Sequence, residues 1–188
     1  NQLTGTLANG LAHYWLQKGE QSKIRLMNRL DKDTSGLGVF AKNAHIQHLL
    51  SFYVGTEEFK KEYLALVEGA PCPGEGTIDL PIARESEYSM TRVVREDGDK
   101  AVTHYETSQV YQGYSAVSIV LETGRTHQIR VHMSHLGHPL LGDTLYGGNT
   151  QLMQRQALHA VRITLLHPIT KNWHCFTAPV PADISRLL

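Results

Sequence analysis

Apolar residues recur every three or four positions in several segments of the chain, which is the period of an amphipathic helix. A first helix is predicted to begin at a cap supplied by Thr4 or Thr6 and to end at Gly19. A second helix is predicted from the cap residue Asn43 to about Tyr53. The apolar positions that define them are Leu7, Leu11, Tyr14 and Trp15, then Ile46, Leu49 and Leu50.

A third helix is predicted at 126–136, where Gly137 and Pro139 prevent the helix from continuing. The remaining apolar segments are short and are bounded by turn residues, which is typical of strands. Helices mixed with strands that are mostly joined as hairpins predict an α+β fold with a largely antiparallel sheet. The predicted strands are 23–31, 37–41, 60–68, 101–110, 114–121, 157–166 and 173–177.

Composition restricts the class of protein. The chain of 188 residues is 41% hydrophobic, which is enough for a core, so a disordered segment is excluded. No apolar run approaches the ~20 residues that cross a bilayer. The chain starts at Asn1 without a methionine and shows no signal-peptide pattern, so we expect that upstream sequence is missing. Two isolated cysteines, Cys72 and Cys175, rule out a zinc ribbon and fit a reducing cytoplasm.

Three polar motifs interrupt this pattern. The first, Arg-Leu-Asp-Lys-Asp-Thr-Ser-Gly-Leu, spans 29–37 and places Asp31 just before a turn. The second, Lys-Lys-Glu-Tyr-Leu-Ala-Leu-Val, spans 60–67, and the third, Thr-Gly-Arg-Thr-His-Gln-Ile-Arg-Val-His, spans 123–132. If 23–31 is a strand, two-residue alternation puts the cation of Arg29 on the same face as Asp31.

In this order, the three motifs resemble those of the RluA-like family of RNA pseudouridine synthases. The resemblance implies a pseudouridine-synthase-like fold, a mixed sheet flanked by helices around a central catalytic cleft. It also implies an isomerase that converts a flipped uridine to pseudouridine in structured ribosomal or transfer RNA. Substrate and product are isomers, so the resemblance implies no cofactor.

The resemblance assigns three catalytic residues. The aspartate of the Arg-Leu-Asp motif is Asp31, and the last arginine of the third motif, Arg130, is its ion-pair partner. A neighbouring guanidinium opposes the rise in the carboxyl pKa that burial causes. Asp31 could attack the sugar or a ring carbon, or could remove the ribose C2′ proton. Tyr63 is the motif tyrosine, which can stack on the uracil and serve as an acid or base.

Four residues are expected to bind RNA. The resemblance places Arg29 in the space left by the flipped nucleotide or against its backbone. Arg125 and His127 are expected to shape the pocket floor or to bind phosphate, and Leu158 to close the far side of the base. Many relatives have His where this chain has Asn28, a difference expected to alter packing or specificity rather than chemistry.

Residues 1–188 are expected to form a single catalytic domain, acting as a monomer and incomplete at its N-terminal end. The family's initial strand with an Asn-Lys-Pro element, and the S4 RNA-binding domain of some relatives, have no counterpart in this sequence.

Three other classes remain as alternatives. A metal site is disfavoured because the clustered histidines lack a His-Glu-x-x-His pattern. A non-catalytic RNA-binding module of the same fold is disfavoured because the three motif residues are intact. A glycosidase would need Asp31 and Asp33 as a carboxylate pair, with no evident sugar platform. The histidines in question are His127, His132, His135 and His138.

Overall fold

A computed structural model describes residues 5–188. Helix α1 spans Leu7–Gln17, and Thr6 caps it in a reciprocal pair of hydrogen bonds with Asn9. The alternative cap, Thr4, lies outside the described residues. The other helices are α2 (Ala44–Ser51), which Asn43 caps as predicted, α3 (Gln128–His135) and the short α4 (Ala182–Ser185).

The strands form one large sheet and one small one. The order in the large sheet is β1-β8-β2-β7-β6-β3, with β9 paired to β8, and every pairing except β1–β8 is antiparallel. The small sheet is the β4–β5 hairpin. This architecture confirms the predicted α+β class. The strands are β1 (Ser35–Gly36), β2 (Phe59–Glu68), β3 (Glu75–Asp79), β4 (Ile82–Arg84), β5 (Arg92–Val94), β6 (Val102–Val110), β7 (Tyr114–Leu121), β8 (Leu158–Leu166) and β9 (Trp173–Thr177).

Strand β2 lies in the centre of the large sheet and has a core on each face. On one face, Ile129 and Met133 of α3 join a cluster of buried side chains that includes Tyr63 and Leu158. Leu66 belongs to a second cluster with residues of the C-terminal segment. Each fully buried side chain of this kind contributes about 1.5–3 kcal/mol. Because α3 is packed on the sheet, the third motif is held beside the second.

The predicted strands at 23–31 and 37–41 are wrong. The two segments run antiparallel, but they share only an isolated bridge between Leu26 and Phe40 and a few backbone hydrogen bonds. The side chain of Asn28 lies between them, donating to the Leu37 carbonyl and accepting from the Val39 amide, at 3.2 and 2.7 Å. The amide therefore substitutes for ladder hydrogen bonds, and residue 28 has a packing role.

None of the helices described between residues 5 and 188 combines the length and the hydrophobicity that a bilayer crossing requires.

Candidate active site

The three motifs meet around one cavity of about 280 Å³, close to the lower end of the size range of small-molecule pockets. All seven predicted site residues line it, although they come from distant parts of the chain. They are Arg29, Asp31, Tyr63, Arg125, His127, Arg130 and Leu158.

The Arg130 guanidinium joins two carboxylates. Its Nη1 lies 3.7 Å from Oδ2 of Asp31, so the predicted ion pair is present. Its Nε and Nη2 donate to both oxygens of Asp143, at 2.7 and 2.6 Å. Burial by itself would lower the pKa of Arg130, but the hydrogen bonds and charge of Asp143 and the charge of Asp31 raise it. Arg130 is therefore a permanent cation with a fixed orientation.

The two carboxylates differ in what they are free to do. The Asp143 side chain is fully buried, and both its oxygens are engaged by Arg130. The side chain of Asp31 is 21% exposed to the cavity and accepts no hydrogen bond from any of residues 5–188. Its lone pairs are therefore available to a ligand, which makes Asp31 the carboxylate that can react.

Tyr63 lies on β2 beside this carboxylate and is 6% exposed. Burial, with a further contribution from the negative charge of Asp31, raises the pKa of Tyr63 to about 12. The phenol is therefore protonated at neutral pH. It can donate a hydrogen bond or present its ring to a base, and serving as a phenolate base would require it first to lose this proton.

The turn that carries Asp31 is attached to the rest of the fold at several points. Strand β1 pairs with β8 directly after the turn, and the Gln156 amide donates to the Lys32 carbonyl at 2.5 Å. Arg155 donates to the Asp33 carbonyl at 2.9 Å. Gly36 has a φ of 109°, and a side chain there would overlap the Ala160 backbone, so this position requires glycine.

His127 is the N-cap residue of α3 and has a left-handed backbone conformation, with φ 58° and ψ 19°. Its Nδ1 is 2.7 Å from the Tyr146 hydroxyl, and the Tyr146 ring lies under the Arg130 guanidinium at 5.0 Å. Burial lowers the pKa of His127, while the charge of Asp31 opposes this shift. Left-handed backbone is rare for a non-glycine residue and occurs preferentially at functional sites.

Two arginines mark the mouth of the cavity. Arg29 is exposed and donates to the Thr126 hydroxyl at 2.6 Å, while Arg125 is exposed and donates to the Lys100 carbonyl at 2.9 Å. Both also line an adjoining polar hollow of about 530 Å³. The arginines of the β4–β5 hairpin that line this hollow are Arg84 and Arg92.

The four clustered histidines have separate environments. His132 is fully buried between the Thr103 hydroxyl and the Leu80 carbonyl, and His138 contacts the Glu68 carbonyl. Within residues 5–188, no group of three or more His, Cys, Asp or Glu side chains could hold a metal ion.

Sequence reasoning missed three residues of the site. Asp143 and Tyr146 orient Arg130, and Gln156 holds the turn after Asp31. The glycine-rich segment 142–148 was a signal that could have found the first two. A side chain at Gly142 or Gly148 would overlap neighbouring backbone, so this loop is tightly packed.

Comparison with known proteins identifies the family of this chain. The sequence profile of the RNA pseudouridylate synthase family matches residues 4–135. YjbO of Bacillus subtilis, an uncharacterized RNA pseudouridine synthase, is 44% identical over 185 residues, which is 98% of this chain and 65% of that protein. The ribosomal large subunit pseudouridine synthase D of Haemophilus influenzae is 40% identical over 98% of this chain and 61% of that protein. The chain thus spans less than two thirds of the length of these relatives.

Two solved structures of human pseudouridylate synthase domains have the fold of this chain. Human RNA pseudouridylate synthase domain containing 1 superimposes with a TM-score of 0.74 and 28% identity, over 93% of this chain and 74% of the human one. Human RNA pseudouridylate synthase domain containing 4, at 24% identity, has the same fold, with a TM-score of 0.72 over 91% of this chain and 77% of the human one. From its motifs, its fold and its relatives, this chain belongs to the RNA pseudouridylate synthase family.

Proposed function

We propose that this chain converts uridine to pseudouridine in RNA, with Asp31 as the catalytic carboxylate. The observation that carries the proposal is the state of Asp31. Its carboxylate lies in the cavity next to a fixed cation and accepts no hydrogen bond from the described part of the chain. The Arg130 guanidinium lies 3.7 Å from this carboxylate, within reach of the charge that both candidate routes redistribute.

The reaction needs no external reagent. The C1′–N1 bond breaks, a C1′–C5 bond forms, and the hydrogen that C5 loses is balanced by one gained at N1. Asp31 acts either by attacking carbon or by removing the C2′ proton. In both routes negative charge develops on the uracil ring, and a preorganised cation in the cavity is an efficient way to stabilise that charge. Arg130 meets this requirement, because Asp143 prevents its side chain from reorienting.

Tyr63 supplies a neutral phenol and an aromatic face. With a pKa of about 12, it is suited to stacking on the flipped uracil and to donating a hydrogen bond or a proton. Leu158, which is buried in the same cavity wall, provides apolar contact on the other side of the base. A uridine in this cavity must leave its stacked position, because the reacting atoms are otherwise inaccessible.

The cavity mouth carries the features of an RNA contact. Arg29 and Arg125 are exposed there, and His127 lies just inside. Guanidinium groups at a mouth favour phosphate oxygens. The name of the relative from H. influenzae refers to the large ribosomal subunit, which favours structured ribosomal RNA as the substrate, with transfer RNA as the other class to test.

The experiment measures release of tritium from ribosomal and transfer RNA labelled at uridine C5. The wild-type chain is expected to release tritium to water, and Asp31→Asn is expected to abolish release while RNA binding is retained. Asp33→Asn is the matched control, because it removes the same charge two residues away, and Asn tolerates the positive φ of 69° found there.

Each alternative has its own outcome. Appreciable turnover by Asp31→Asn would remove Asp31 from the mechanism. RNA binding without release by the wild-type chain would identify a non-catalytic RNA-binding module. Free uracil that retains its label would identify a glycosidase.

A further inference from the structure

Lys61 is a buried lysine in the wall of the cavity. It lies on β2 two residues before Tyr63, so both side chains point to the same face of the sheet. It is only 4% exposed. Lysine is almost never buried to this extent unless it is paired.

This lysine has no such partner. Among residues 5–188, no carboxylate forms an ion pair with Lys61 and no group hydrogen-bonds to it. Burial is the only cause of the lowered pKa of Lys61, so no acidic group compensates for the loss of water. The contrast is Arg130, which is similarly buried but has Asp143.

The free amine is not sealed off from the cavity. Within the described chain, the buried side-chain atom that lacks both solvent contact and a partner is Thr107 Oγ1. Lys61 Nζ and the Tyr63 hydroxyl, which also has no partner among these residues, therefore reach open volume. The ammonium of Lys61 and the hydroxyl of Tyr63, on the same face of β2, can therefore form hydrogen bonds with a ligand.

The position of Lys61 limits which part of a nucleotide it can meet. Among residues 5–188, Lys61 forms no ion pair with Asp31, whereas Arg130 Nη1 lies 3.7 Å from that carboxylate. Lys61 Nζ instead lies beside Gly124, 3.7 Å from where a side chain on that glycine would begin. If Asp31 lies at the sugar carbon, Lys61 is therefore placed to meet another part of the nucleotide.

Phosphate is the less suitable occupant. Arg29 and Arg125 are exposed residues of the cavity lining, whereas Lys61 is a buried one. The flipped base is the part of a nucleotide that enters a cavity, while the phosphates stay with the exposed backbone, so the base is the part expected to meet a buried amine.

Resting on the proposed function, we infer that the Lys61 ammonium donates a hydrogen bond to a carbonyl oxygen of the uracil ring. When the C1′–N1 bond breaks with its electron pair on the base, the negative charge is shared by the ring nitrogen and the carbonyl oxygens. A buried cation stabilises that charge more than it stabilises the neutral base, so it accelerates bond cleavage. No proton has to be transferred, and the ammonium carries the same charge before and after the step.

The test compares Lys61→Met with Lys61→Gln in single-turnover tritium release and in RNA binding. Methionine keeps the length of the side chain but removes the charge, and the expected single-turnover rate is lower by about 10²–10³-fold, as for loss of an oxyanion donor. Glutamine keeps a neutral donor and is expected to lose less. RNA affinity and its salt dependence are expected to be unchanged. Lys60→Met, at the adjacent position that faces the other way, is the matched control.

Removing an unpaired buried charge is also expected to raise the melting temperature, so a folding defect would not be the cause of lost activity. A salt slope reduced by about 0.7, with the single-turnover rate intact, would assign Lys61 to a phosphate and overturn the inference. Unchanged rate and affinity, with only the melting temperature altered, would overturn it as well. A wild-type chain that releases no tritium would remove the proposed function itself, which is a separate result.

Discussion

At the residue scale, the polar groups of the cavity are distinguished by whether the protein satisfies them. Asp143 is hydrogen-bonded through both carboxylate oxygens, and Gln128 both donates and accepts within the core. The side chains of Asp31, Tyr63 and Lys61 have no hydrogen-bond partner among residues 5–188. Buried polar groups are almost always satisfied in folded proteins, so unsatisfied ones that face a cavity are available to bind a ligand.

Tyr63 provides a prediction at this scale. Its pKa in the folded chain is about 12, above the ordinary value of 10.0, so folding favours the protonated phenol. The resulting contribution to the free energy of unfolding is complete below pH 10, and it is lost as the pH rises towards 12. A shift of this size corresponds to roughly 3 kcal/mol. Between pH 10 and 12, the free energy of unfolding of the wild-type protein is therefore expected to fall by roughly 3 kcal/mol more than that of the Tyr63→Phe variant.

Denaturant titrations of both proteins across this pH range would measure the difference. All other lysines and tyrosines titrate in both proteins, so their contribution cancels. Parallel curves for the two proteins would contradict a buried phenol beside Asp31.

At the element scale, the turn at 31–36 depends on β1, although β1 is only two residues long. Gly36 combines a positive φ with direct packing on the Ala160 carbonyl. Any side chain there forces β1 away from β8, and the turn that carries Asp31 moves with it.

Gly36→Ala is therefore expected to reduce single-turnover tritium release by roughly 10²-fold, because small displacements of a catalytic group have effects of this size. It is also expected to reduce the free energy of unfolding. Gly113→Ala is the matched control, because Gly113 also has a positive φ, of 87°, but has open space around it. The control should cost about 1–2 kcal/mol of stability and leave the rate unchanged. Equal effects of the two variants would show that β1 does not position the turn.

At the scale of the whole molecule, charge distribution matters more than net charge. Lys+Arg and Asp+Glu balance at 18 each, so the chain has no general attraction for RNA. The arginines that could bind RNA are concentrated around the cavity mouth and the adjoining hollow. They are Arg29, Arg84, Arg92 and Arg125.

Arg125→Ala is expected to weaken RNA binding and to make the dependence of log K on log salt concentration shallower by about 0.7–0.9, the value for one phosphate contact. The single-turnover rate at saturating RNA is expected to stay the same. Arg162→Ala removes an exposed arginine that pairs with Glu62 and lines neither the cavity nor the hollow, so it should leave the slope unchanged. Equal slopes for the two variants would exclude Arg125 from the RNA interface.

Local patterns were sufficient for most of the fold. The periods of apolar residues and the caps located α1, α2, α3 and the long strands, because each of these features depends on residues close in sequence. The two strands predicted around the first motif failed for a tertiary reason. The Asn28 side chain takes hydrogen bonds that a strand partner would otherwise make, and alternation of residue types does not reveal this.

By itself, the sequence determined the class of fold and the three motifs, and the family resemblance of those motifs implied the pairing of Asp31 with Arg130, since motif identity specifies residue types at fixed positions. Only the tertiary structure decided that Asp143, rather than Asp31, accepts the hydrogen bonds of Arg130, and that Lys61 is buried with no side-chain partner in residues 5–188. The physical reason is that hydrogen bonding and desolvation depend on distances of a few ångströms between groups far apart in the chain, and spacing along the sequence does not specify those distances.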